Sequence, residues 1–116
     1  MITLAEELQA IEDIKQLKAR YFRFLDTKDW KGYASVFCRN ATFDMLTAAT
    51  VDPDDGSAEA ARSSRFVLEG CDAITDAVRE AVGDKHTVHH GHCHEVWVDS
   101  PDEAHGIIAL ERKSVV

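Results

Sequence analysis

Four of the chain's six histidines fall within residues 87–98, a segment with the residue pattern of a β-strand. Side chains alternate between the two faces of a strand, so this segment predicts two different sets of groups. One face carries His89, whose imidazole could work alone as an acid or a base. The other face carries His90, His92 and His94, whose i, i+2, i+4 spacing could hold a metal ion. We expect the functional site, if the protein has one, to lie on this strand. The acid–base role of His89 and the metal site both stay open.

The first helix carries an acidic residue whose position is unusual for a carboxylate. Thr3 and Glu6 have the spacing of a capping box, which predicts that the helix begins there. Apolar residues then recur at helical spacing, which is typical of a helix that packs on a core. Asp26 lies one turn beyond Phe22, on the margin of the apolar face, so its carboxylate should point toward the interior. Asp26 is either a C-terminal helix cap, a partner for Arg23 or Lys28, or part of a site.

Shorter elements are predicted around this helix and strand, together with a solvated acidic loop over residues 47–64. Hydrophobic periodicity and turn residues set their limits. They are a helix over 29–37, strands over 42–46 and 65–69, a helix over 72–82, and a strand over 104–110 that runs back beside the histidine strand.

The composition favours one small domain over residues 1–116. Hydrophobic residues make up 45% of the chain and charged residues 29%, which is ordinary for a soluble protein. No apolar run has membrane-spanning length and no signal peptide is apparent, so we expect a cytoplasmic protein. The net charge of −8, without a basic cluster, would repel phosphate backbones and anionic lipids. Nucleic acids and membranes are therefore not expected as partners.

The cysteines and acidic residues do not indicate a metal or a cofactor. Cys38, Cys71 and Cys93 are odd in number and widely spaced, which fits neither a disulfide framework nor paired CxxC motifs. We expect reduced thiols. The acidic loop lacks the ligand spacing of a calcium-binding EF-hand.

The order of the elements and several short motifs resemble the nuclear transport factor 2-like superfamily, in particular its SnoaL-like members. The resemblance covers nearly the whole chain and is carried by residues 21–30 (YFRFLDTKDW), Phe37 with residues 41–43 (ATF), residues 70–74 (GCDAI) and residues 87–92 (TVHHGH). It implies an α+β fold in which a cone-shaped, curved antiparallel sheet is wrapped by three helices. Such a sheet encloses an apolar pocket.

The resemblance also implies a role for Asp26 and His89. The scytalone dehydratase and hexachlorocyclohexane dehydrochlorinase branches have an aspartate and a histidine at the matching positions, and this pair abstracts a proton during β-elimination. The chemistry is sound in itself, because a carboxylate that accepts the Nδ1 proton fixes the tautomer and presents Nε2 as the base.

The function implied is a cofactor-independent lyase or isomerase that acts on a small, largely apolar molecule with an acidic C–H bond. Dehydration, dehydrohalogenation and isomerisation all fit. The alternatives are a non-catalytic ligand-binding or dimerisation module of the same fold, and a metal-binding protein that uses His90, His92 and His94.

Further residues are predicted to line the pocket around the pair. Cys93 and Trp97 share strand parity with His89, while Tyr21, Phe22 and Phe43 would form apolar walls.

The chain departs from the two named branches in two places. Ile108 stands near the position of the dehydratase's second histidine and cannot transfer a proton, which argues against that particular dehydration. The superfamily also continues past residues 110–112 into further strands, so the pocket is expected to be incompletely walled. Ile107, Ile108 and Leu110 would leave apolar groups uncovered, and we expect a homodimer or another homo-oligomer that covers them.

Overall fold

The computed structural model describes residues 1–44 and 67–115. The predicted loop over 47–64, the predicted strand ends at 45–46 and 65–66, and Val116 lie outside the described residues. The described elements are α1 (Leu4–Asp26), α2 (Trp30–Ser35), β1 (Thr42–Asp44), β2 (Val67–Glu69), α3 (Cys71–Val82), β3 (His86–Ser100) and β4 (Glu103–Val115).

Helix α1 begins and ends at defined caps. The Thr3 hydroxyl accepts a hydrogen bond from the Glu6 backbone N–H at 3.1 Å, as the capping-box spacing predicts. At the other end, the backbone N–H of Lys28 donates to the Leu25 carbonyl and that of Asp29 to the Phe24 carbonyl. These two bonds form a Schellman motif, which stops the helix at Asp26 and turns the chain toward α2.

The core lies where the C-terminal half of α1 meets α2 and α3. Tyr33 of α2 and Ile74 of α3 are fully buried. Leu25 and Val82 pack with them, and a shell of partly buried aromatic rings surrounds this cluster. The burial of these apolar groups holds the end of α1 in place, and with it Asp26.

The strands form two antiparallel pairs. β1 pairs with β2, and the long strands β3 and β4 form a hairpin against which α1 packs. The combination of helices and antiparallel sheet confirms the predicted α+β class. Among the described residues the two pairs do not join into one closed sheet.

A bulge in β3 changes which residues face the helices. His92 pairs with Ala109 and Glu95 pairs with Ile107, so Cys93 and His94 together oppose one residue of β4. Cys93 has a φ of 53°, and such a two-against-one arrangement defines a β-bulge. Beyond residue 94, odd-numbered side chains of β3 therefore point to the outer face and even-numbered ones to the inner face.

The hairpin is longer than the sequence predicts. β4 was expected over 104–110 but continues to Val115, which brings Arg112 opposite His89 and Leu110 opposite Gly91. The charged residues 111–113 alternate between the two faces of the sheet, because cross-strand partners share a face. Among the described helices, none is long and apolar enough to cross a membrane.

Candidate active site

Asp26 and His89 form a hydrogen-bonded pair where the end of α1 meets β3. His89 Nδ1 lies 2.6 Å from Asp26 Oδ1, and the His89 backbone N–H donates to Asp26 Oδ2 at 2.9 Å. The His89 side chain is only 7% exposed and the Asp26 side chain 23%. Two contacts to one residue fix both the carboxylate and the imidazole in orientation. The hydrogen bond anticipated from helix and strand periodicity is present.

The hydrogen bonds keep Asp26 ionised. Burial alone would raise the pKa of this carboxyl, but the bonds from the His89 side chain, the His89 backbone and Thr87 outweigh burial and lower the pKa below its ordinary value. An ionised Asp26 can only accept, so the shared proton belongs on His89 Nδ1. This tautomer leaves Nε2 unprotonated and able to act as a base.

Thr87 and Lys28 extend the pair into a network. Lys28, which the sequence offered as a direct partner of Asp26, binds the Thr87 hydroxyl instead. The buried Thr87 hydroxyl donates to Asp26 Oδ1 at 2.9 Å and accepts from Lys28 Nζ at 2.9 Å. Lys28 has a φ of 60° and stands in the Schellman position that glycine usually takes. A left-handed conformation costs a residue with a Cβ about 1–2 kcal/mol. The Lys28 side chain offsets this cost by binding Thr87, and so reaches Asp26 through that hydroxyl.

We expect Thr87→Val to weaken both the site and the fold. The change keeps the side chain's shape but removes one hydrogen bond to the Asp26 carboxylate and leaves the Lys28 ammonium without this acceptor. The loss of stability should be about 1–2 kcal/mol, and the pKa of Asp26 should rise. Chemical denaturation and a carbon-13 NMR titration of the Asp26 carboxyl measure the two effects.

Thr75→Val is the matched control for this experiment. Thr75 is as buried as Thr87, but its hydroxyl donates at 2.7 Å to the Cys71 carbonyl within its own helix. The control should leave the pKa of Asp26 unchanged. Equal titration curves for the two variants would contradict the role of Thr87.

Phe22 supports the imidazole from one side. Its ring stacks on that of His89, with centroids 5.8 Å apart and planes 12° from parallel. A Cβ at Gly91 would lie 2.7 Å from Phe22 Cε2, so glycine is needed there for the helix to approach the strand. Phe22 therefore packs behind the base instead of lining a cavity.

Two neighbouring cavities open on the inner side of the hairpin. The first, of about 170 Å³, contains His89 and Arg112, and its apolar wall includes Leu25 and Val78. The second, of about 520 Å³, is lined by Lys18 and other side chains of α1, by Val36 and Phe37 just after α2, and by residues of β4. Tyr21 and Phe43 line both cavities and form a common wall.

Tyr21 adds a neutral polar group to this wall. Its hydroxyl lies 3.3 Å from that of Tyr33, and burial raises the pKa of both phenols. Tyr21 therefore keeps its proton at neutral pH and can donate a hydrogen bond to a ligand oxygen.

Cys93 and Trp97 do not reach the cavities. The bulge makes Cys93 exposed and turns Trp97 to the outer face. There its indole stacks on the His105 ring, with ring centroids 4.9 Å apart. The prediction that Cys93 and Trp97 face inward with His89 is wrong, because it assumed regular alternation along an unbroken strand. Val96 and Val98 are the half-buried residues of this part of β3 instead.

The three histidines with metal-ligand spacing, His90, His92 and His94, are exposed. The rings of His90 and His92 stack at 6.4 Å, and His92 Nε2 lies 3.3 Å from Glu111 Oε1. His94 lies in the bulge, so its side chain does not continue the regular alternation that puts His90 and His92 on one face. Over residues 1–44 and 67–115, no three His, Cys, Asp or Glu side chains come together as a metal site.

Arg112 and Lys18 are the charged cavity residues that sequence periodicity did not select. Arg112 belongs to the part of β4 beyond the predicted strand. Lys18 interrupts the apolar face of α1, and its Nζ lies 4.0 Å from the centroid of the Tyr21 ring. A lysine within the apolar face of the helix was the sequence feature that could have identified Lys18 as a cavity residue.

A family model for the SnoaL-like domain matches residues 6–115. The chain therefore belongs to the SnoaL-like domain family, within the nuclear transport factor 2-like superfamily, as the sequence motifs indicated.

A solved structure supports the same fold. Aln2 from a Streptomyces species superimposes with a TM-score of 0.58 at 19% sequence identity, over 93% of this chain and 80% of that chain. At this identity the similarity concerns the fold alone. No curated protein matches the sequence.

Proposed function

We propose that the protein is a cofactor-independent lyase or isomerase in which His89 removes a proton from a small, largely apolar substrate. The observation that carries this proposal is the 2.6 Å contact between His89 Nδ1 and Asp26 Oδ1 beside an apolar cavity. A cavity with few polar groups and an oriented acid–base pair is a typical small-molecule site.

In the proposed reaction, His89 Nε2 takes the proton of an acidic C–H bond, and the electron pair of that bond forms a C=C double bond. In an elimination, the bond to a leaving hydroxide or halide breaks at the same time. In an isomerisation, His89 returns the proton to another carbon. Asp26 stabilises the imidazolium that forms, and Tyr21 donates a hydrogen bond to the substrate oxygen that gains charge.

Proton exchange tests this function without knowledge of the natural substrate. The protein is incubated in D₂O with a panel of enones, β-hydroxy ketones and β-halo ketones, and NMR follows deuterium incorporation and elimination. We expect the protein to accelerate exchange of at least one C–H bond adjacent to a carbonyl. Failure to accelerate any panel member, with the pair intact in the same sample, would contradict the proposal.

We also propose that the protein is a homodimer that associates through the outer face of the β3–β4 hairpin. Three apolar side chains lie on this face with large exposed fractions: Ile107 at 61%, Val88 at 50% and Trp97 at 40%. A second copy can cover them symmetrically, since one self-complementary patch gives a closed two-fold assembly.

Sedimentation equilibrium at micromolar concentration tests this assembly. We expect a dimer for the unmodified protein and a monomer for Ile107→Glu, because a buried carboxylate at the interface would lack a partner. Val67→Glu is the control, since Val67 is 46% exposed but lies on β2, away from the hairpin. A monomeric unmodified protein would overturn the proposal.

A cytoplasmic location completes the proposal. The three cysteines are unpaired thiols, and such thiols persist in a reducing compartment.

A further inference from the structure

The charges that line the two cavities have the opposite sign to the chain as a whole. The sequence has 21 acidic residues against 13 Lys and Arg, yet the ionised side chains among the described lining residues are Lys18 and Arg112. No Asp or Glu is among them. Asp26 lies behind His89 and is already engaged by His89 and Thr87. The cavities therefore form a cationic region in an acidic protein.

Arg112 is placed beside the proposed base by the strand register. It pairs with His89 across the hairpin, so the two side chains project from the same face and start about 5 Å apart. Arg112 is exposed and lines the same cavity as the imidazole. Over residues 1–44 and 67–115, no carboxylate forms an ion pair with it. Its planar guanidinium suits the two oxygens of a carboxylate.

Lys18 lies in the second cavity with its ammonium over aromatic rings. Nζ is 4.0 Å from the centroid of the Tyr21 ring and 4.9 Å from that of Phe22. Burial lowers the pKa of this ammonium, which means that the surroundings disfavour its charge. The ring faces compensate only in part. An anion in the cavity would supply the missing counter-charge, since in the described part of the chain no carboxylate does so.

We infer that the two cavities together bind an organic anion, namely a mainly apolar carboxylate whose charge is matched by Arg112 in the first cavity and Lys18 in the second. The ring or chain of the ligand contacts the wall that Tyr21 and Phe43 share between the two cavities. The inference rests on the proposed function in one respect, that these cavities are the ligand site. In that reaction, Arg112 also faces the oxygen on which negative charge develops when His89 takes the proton.

A matched pair of probes tests this inference by binding alone. 2-Naphthoate and 2-naphthamide share ring and size but differ in charge, and isothermal titration calorimetry at low ionic strength gives the Kd of each for the full chain. The net charge of −8 disfavours an anion at a random site. We expect 2-naphthoate to bind about tenfold more tightly than the amide, a difference of about 1.4 kcal/mol.

Charge-matched variants assign the preference to the two residues. Lys18→Gln and Arg112→Gln should each reduce the naphthoate-to-naphthamide preference at least threefold, while Lys18→Arg should retain it. Lys15→Gln and Lys113→Gln remove one positive charge each from exposed positions that do not line the cavities, so both should retain the preference. Circular dichroism confirms the fold of every variant.

The outcomes separate this inference from the proposed catalysis. Equal affinities for the two probes in the unmodified protein, absence of binding by both, or a preference that survives either Gln substitution overturns the anion site. None of these measurements requires His89 to remove a proton. A protein that prefers 2-naphthoate but exchanges no C–H bond would keep the anion site and lose the proposed reaction.

Discussion

Replacement of His89 by glutamine is expected to lower the rate of proton removal by about 10²–10⁴-fold, the usual contribution of a general base. Glutamine can still hydrogen-bond to Asp26, but its amide has no basic nitrogen to take the proton. The rate of deuterium exchange in D₂O measures the loss. Because glutamine is smaller than the imidazole ring stacked on Phe22, circular dichroism must show that the fold is retained.

The chain contains a matched control for this change. His105 Nδ1 lies 2.7 Å from Asp99 Oδ2, nearly the geometry of the proposed catalytic pair. The His105 side chain is 59% exposed and lies on the outer face, away from both cavities. His105→Gln should therefore leave exchange unchanged. Equal rates for His89→Gln and the unmodified protein would show that another group is the base.

The directions of the Asp26 and His89 side chains could be predicted from the sequence because each follows from local periodicity, whereas their role as a pair was implied by the resemblance to the superfamily. Asp26 lies at the end of the apolar face of α1, and His89 lies in the part of β3 that precedes the bulge at residues 93–94. Helical and strand periods set the direction of a side chain without reference to distant parts of the chain. The two directions converge because burial of the apolar helix face brings α1 onto β3.

The errors have the opposite origin, since they depend on pairing between strands. Cys93 and Trp97 were assigned by alternation, and the bulge at residues 93–94 becomes visible only when β3 is paired with β4. Arg112 was missed because residues 111–113 are charged and have no apolar pattern. Lys28 was considered only as a direct partner of Asp26. Its contact with Thr87 was not predicted, because the left-handed backbone conformation of Lys28 is unusual for lysine.

Asp26→Asn is expected to lower the free energy of unfolding at pH 7 by about 2–3 kcal/mol. Three donors converge on the Asp26 carboxylate: the His89 ring, the His89 backbone N–H and the Thr87 hydroxyl. An asparagine replaces one accepting oxygen by an NH₂ group, which places a donor against a donor. Urea denaturation measures the difference. Asp99→Asn at the exposed pair with His105 is the control and should cost less than about 1 kcal/mol.

The effect of Asp26→Asn should also depend on pH in a defined direction. The folded protein lowers the pKa of Asp26, so the stability that its carboxylate contributes is fully present above the pKa of the unfolded chain. As the pH falls through the lower pKa of the folded state, the carboxyl becomes protonated in both states and that contribution is lost. The unmodified protein and Asp26→Asn should therefore differ most near neutral pH and converge in acid. A difference that stays constant across this range would mean that the charge of Asp26 does not stabilise the fold.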